Sequence, residues 1–251
     1  MEEANYTNEE RDAVLAVRSQ LLAAGVPRSK LGELELITVT LVAKCRVAEA
    51  VEKFNTWQTC LLDQFGVDDL WSPSADRELE HQWHRLAVAG VDEASRQMMW
   101  IHGGGTQLAE ERLTIWASAL YFLAVHADLT SLRNGITLVI DTSNSPKKKV
   151  GNERRLQVAW QNFPVRPQHI FILGTTFVTR ITVNAIIAFA SLFAKNKVIQ
   201  RIQFDYLARV GALVGKHNLP ERHGGAPQPP TPEWVRQRLA GFPRMNLPSD
   251  A

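Results

Sequence analysis

An α/β protein, with an all-helical lobe followed by a mainly parallel sheet covered by helices, is the fold class this sequence predicts, on three observations. The stretch before Gly90 shows helical periodicity and no convincing strand. From Gly90 onward, short apolar runs alternate with longer periodic ones. Two of the short runs, "ITLVI" from Ile136 and "IFIL" from Ile170, are almost continuously apolar, as strands covered on both faces in βαβ units are.

The lobe takes its helices in order. Residues 9–24 carry Val14, Leu15, Val17, Leu21 and Leu22 at helical spacing, and Gly25 with Pro27 ends them. Further periodic stretches cover 31–43, 47–65 and 75–88, the last holding Leu79, Trp83 and Leu86. The sheet follows from "MMWI" at Met98, "ITLVI" at Ile136, "HIFIL" at His169 and "VIQRIQF" at Val198, with helical stretches beginning near Gln107, Asn152, Phe177 and Asp205. "APQPPTP" after Gly225 reads as extended linker, with Thr231 as N-cap and Pro232 at the first position of a short "EWVRQRL" helix. Three segments result: a helical lobe over 1–88, an α/β domain over 89–229 and a C-terminal linker with a short helix over 230–251.

Composition bounds the function. A chain of 251 residues, 45% hydrophobic and 22% charged, can bury one large core or two modest ones. The net charge of +2 gives no footprint for nucleic acid, and "PKKK" at Pro146 reads as a solvated loop. The opening "MEEANYTNEERD" is acidic and lacks the basic and apolar regions of a secretory signal, so a cytoplasmic location is expected, with peripheral contact to membranes. Cys45 and Cys60 are expected as reduced thiols.

Catalytic motifs fail on inspection. "IHGGG", Ile101 to Gly105, resembles an oxyanion loop of α/β-hydrolases, but the chain has no Gly-x-Ser-x-Gly or Gly-x-Cys-x-Gly elbow, so the expected reading is a glycine turn leaving a strand. Asp141 ends a strand and is expected to cap the following loop. His81 and His84, spaced i, i+3, are expected on a charged helix face, since no third ligand stands near them in sequence. "GALVGK" from Gly211 has the wrong spacing for a phosphate loop. No metal, cofactor or catalytic residue is expected, and the chain is read as a non-enzyme. The feature left over is "ITVNAIIAFASLFA", Ile181 to Ala194, a helical run without a polar face and too short for a bilayer, which takes roughly 20 residues. It reads as a buried core helix, or as a helix that covers an apolar cavity or meets a membrane surface.

Four motifs in order resemble the CRAL-TRIO family, the fold of yeast-type phosphatidylinositol transfer proteins and of retinal- and tocopherol-binding proteins. Gly90, Val91, Asp92 and Arg96 match its first strand motif, from which Ser95, Gln97 and Met98 depart. "GITLVIDTSNS" is similar to its central strand, with Asp141 as the terminal Asp. "NFPVRPQHIFIL" keeps Pro164 and Arg166 and has Phe163 for Tyr; Gly174 to Phe177 retains only the aromatic of the next motif. Leu219, Pro220, Gly224 and Gly225 stand where the family has L-P-x-x-x-G-G. "CRVAEAVEKF" from Cys45 resembles a repeat of the family's helical lobe.

The resemblance implies a lipid-sized apolar cavity floored by the sheet and closed by a gate helix over Phe177 to Ala194. On that reading the chain binds, and transfers or presents, a phospholipid or other lipophilic molecule. The expected lining is Trp100, Leu138, Ile140 and Ile172 from the strands and Phe177, Ile181, Ile186, Phe189 and Phe193 from the gate. The partners are then the lipid and, transiently, a membrane surface. Two rival expectations stand beside it: a ligand-free protein-interaction module on the same fold, and a hydrolase built on "HGGG".

Overall fold

Residues 5–102, 111–143, 162–174 and 201–247 are described in a computed structural model of the chain. The first three helices are α1 (Asn8–Ala23), α2 (Glu33–Val42) and α3 (Val47–Thr59). A capping box starts α1: Thr7 Oγ1 accepts from Glu10 N at 3.2 Å, and Glu10 Oε2 accepts from Thr7 N at 2.9 Å. Val14, Val17 and Leu21 on its inner face pack with Leu36, Ile37, Val39 and Phe54. Helix α2 is buried from Glu35 to Val42, which makes it the centre of the lobe rather than an amphipathic cover. Inside it, Glu35 Oε1 accepts a 2.7 Å hydrogen bond from Trp71 Nε1, and burial pushes the carboxyl above the usual range.

The expected fourth helix over 75–88 is cut short. Only Ala75–Glu78 (α4) is helical; His81 and His84 lie in turns, and Leu86–Ala87 (β1) pairs antiparallel with Met98–His102 (β2). The apolar Leu86 satisfies a strand as well as a helix, and the sheet edge took it.

The sheet runs β1-β2-β3-β4-β5, with Ile136–Asp141 (β3), Pro167–Leu173 (β4) and Ile202–Asp205 (β5) parallel to β2. Helices Glu111–Val125 (α5) and Leu129–Asn134 (α6) link β2 to β3, and Leu207–Val214 (α7) follows β5. Helix α5 is buried from Thr114 to Val125 and packs on one face of the sheet. That face carries Met99, Ile101, Ile136, Leu138, Ile140, Ile170 and Ile172. The opposite face carries Met98, Trp100, Val139, Phe171 and Leu173, covered by Val210 and Val214 of α7 and by Leu219.

The last helix is Thr231–Ala240 (α8). Thr231 is its first helical residue rather than its cap; Pro230 precedes it, and the Thr231 hydroxyl donates to the Leu86 carbonyl instead. The C-terminal segment packs back on the molecule. Trp234 meets Tyr121 of α5 with ring centroids 5.7 Å apart, Arg238 bonds the Ala124 carbonyl and Asp128, and Phe242 and Met245 join the core of the lobe. Lobe and sheet are joined as well: Phe163 sits between Trp57 and Phe122, at 4.7 and 4.5 Å between ring centroids, and Arg133 of α6 bonds both carboxylate oxygens of Glu10.

Candidate functional site

Strand parity divides the expected lining residues. Leu138, Ile140 and Ile172 all point to the α5 face, where each is buried. Trp100 points to the other face, because it is registered with Val139 while Ile101 is registered with Ile140. Trp100 therefore does not share a surface with the other three, because successive residues of a strand alternate faces. Phe177, Ile181, Ile186, Phe189 and Phe193 lie outside the described residues, as do Gly103 to Gly105 and the basic run at Pro146.

A polar cluster stands at the carboxyl ends of β2 and β3, on the Trp100 face. His102 ends β2 and Asp141 ends β3, registered side by side. Onto them folds a short helical turn, Glu221–His223, held between Pro220 and Gly224. Gly224 takes φ +83, and a Cβ at Gly225 would overlap the Leu219 carbonyl, so the glycine pair lets this turn close tightly on the preceding chain. The closure delivers two side chains. His223 Nε2 lies 3.0 Å and Arg222 Nη2 lies 3.2 Å from Asp141 Oδ2, and His102 Nδ1 is 3.5 Å from the same oxygen. Arg222 Nη2 also contacts His102 Nδ1, and the His223 ring sits over Trp100 at 5.2 Å between centroids.

Asp141 also caps its loop as expected, since its Oδ1 accepts from Ser143 N at 3.0 Å. Burial opposes the charge on this carboxyl, yet the His102 imidazole and the Ser143 hydroxyl and backbone N–H outweigh it and hold Asp141 well below the usual carboxylate range. The His102 pKa is lowered as well, here by burial, which disfavours its charged form. Asp141 is thus a buried anion ringed by two imidazoles and a half-exposed guanidinium, an arrangement suited to holding a cation.

Sequence reasoning missed the cluster. Arg222 and His223, between the Pro220 and Gly224 that the motif supplies, bond the strand end. A signal was present: in open parallel sheets polar groups gather beyond the carboxyl ends of strands, and both His102 and Asp141 end apolar strands. What the sequence withholds is that a turn more than a hundred residues after His102 returns to it. No family model and no curated protein matches this chain. No helix among the described residues is long and apolar enough to cross a membrane.

Proposed function

We propose that the chain is a non-enzymatic lipid-binding protein of CRAL-TRIO type, taking up a phospholipid or similar lipophilic molecule and presenting it at, or moving it between, membrane surfaces. The observation that carries the reading is that the four motifs behind the resemblance interlock. Asp92 of the first accepts from Thr137 of the second at 2.6 Å; Ile136 N of the second donates to the Arg166 carbonyl of the third; and Asp141 bonds His223 within the fourth. Gly90 N donates to the Asn218 carbonyl, one residue before Leu219. Residues scattered over 135 positions that make one contiguous frame are what a shared fold would require.

The apolar α5 face is the floor this reading assigns to the ligand. On this reading the ligand rests against Leu138, Ile140 and Ile172 of that face. Each buried CH₂ of an acyl chain contributes roughly 0.8 kcal/mol, so such a floor holds a lipid without a strong polar contact.

The test is organic extraction of the purified protein followed by mass spectrometry, together with uptake from labelled liposomes. A stoichiometric lipid supports the reading, and Ile186→Asp abolishes uptake while the circular dichroism spectrum is retained. An empty extract with no uptake sinks it. That outcome favours the interaction module, for which the exposed Phe204 of β5, Tyr206 just after it and Leu213 of α7 are the supporting observation.

A further inference from the structure

We propose that His102, Asp141 and His223 form a three-ligand site for a divalent transition-metal ion of the zinc type, with Arg222 as the side chain that the ion displaces. The donor set is two imidazoles and one carboxylate, the combination that binds such ions and leaves further positions open to water.

Spacing supports it. Donors about 2.0–2.1 Å from a tetrahedral ion lie about 3.3 Å from one another. Here the carboxylate oxygen is 3.0 Å from one imidazole nitrogen and 3.5 Å from the other, and the three donor atoms all lie within 4.8 Å. His223 stands on a short turn and closes the widest of these gaps by rotating its side chain.

Rigidity and desolvation favour the site as well. Asp141 and His102 end adjacent strands of a parallel sheet, and both are buried. The carboxylate is ionised already, and a buried carboxylate demands a positive partner. Arg222 supplies one, with a single Nη2 reaching both Asp141 and His102 Nδ1, the place a bound ion would take between the same two groups. Its side chain is 43% exposed, so it has an open route to water. The cluster lies on the side of the sheet opposite the α5 face, so a lipid there would not contact it.

Zinc and cobalt(II) are the probes, added to the untagged full chain. Expected are one zinc per chain by calorimetry, a rise in melting temperature with zinc, and the visible absorption of four-coordinate cobalt. His223→Ala, on a turn outside the strands, weakens zinc binding at least about tenfold and removes the cobalt spectrum. Arg222→Ala binds zinc more tightly than the parent chain. A variant lacking His81 and His84 binds as the parent does, which excludes those two exposed histidines as the source. Binding that survives His223→Ala in a folded protein, or the absence of zinc binding in the parent, overturns the site; unchanged or weaker affinity in Arg222→Ala overturns the displacement.

Discussion

The two faces of the sheet are built on opposite rules. On the α5 side, β3 presents Ile136, Leu138 and Ile140, an unbroken apolar row. On the other side the same strand presents Thr137, Val139 and Asp141: a hydroxyl bonded to Asp92 at the start, an apolar centre under α7, and a carboxylate holding Arg222 and His223 at the end. One face can carry only packing, or an apolar ligand. The other concentrates charge at both ends of the strands while keeping an apolar middle, and so can position a turn or an ion. A single strand serves both purposes because its side chains alternate.

The largest effect is expected on the apolar face. Ile172 is fully buried there, and Ile172→Ala should cost about 2–5 kcal/mol in urea unfolding through lost transfer energy and the cavity left behind. The loss should be the same at pH 5 and pH 8, since no titratable group takes part. A cost that varies with pH would mean the two faces are coupled rather than separate.

On the polar face, Asp92→Ala is the next largest change, about 3 kcal/mol, because it leaves Arg96 without its buried carboxylate. Asp92 accepts from Ala94 N and Arg96 N through Oδ1, and from Arg96 Nε at 2.8 Å and the Thr137 hydroxyl at 2.6 Å through Oδ2. Burial works against its charge, but these bonds prevail and lower its pKa in the folded state. A carboxyl depressed by folding stabilises above its unfolded pKa of about 3.9 and loses that contribution as the pH falls through the lower folded value. The gap between parent and Asp92→Ala should thus be full at neutral pH and shrink on acidification. A gap that widens toward acid would reverse the sign assigned to Asp92.

The division between faces was half legible in the sequence. Continuous apolar runs in β3 and β4 announced strands covered on both sides, and the order of helices and strands announced a parallel sheet. The parity of each strand was not legible, because when both faces are buried the period-2 signal vanishes; hence Trp100 was grouped with Leu138 and Ile140, which face the other way. The short β1 was hidden for a related reason: Leu86 and Ala87 extend a helical pattern as readily as they pair with β2. Around the polar cluster, the turn chemistry of Pro220, Gly224 and Gly225 could be read locally. Its partner could not, since the contact of His223 with Asp141 spans 82 positions and rests on the whole sheet being formed.

The smallest effect separates the members of the polar cluster from one another. Arg222 is half exposed at its side chain, whereas Asp141, which it bonds, is almost wholly enclosed. An ion pair with one partner in water is worth about 0–1 kcal/mol, because solvent screens the attraction and the long side chain loses freedom to make it. Without added metal, Arg222→Ala should lower the unfolding free energy by less than about 1 kcal/mol, and by less still in high salt. Asp141→Ala should cost more, because it also removes the acceptor of His223 and of the Ser143 N–H and so frees the turn from the strand ends. If the two variants proved equally destabilised, the guanidinium would be the main clasp of the cluster, and the polar face would be held at its surface rather than at its buried carboxylate.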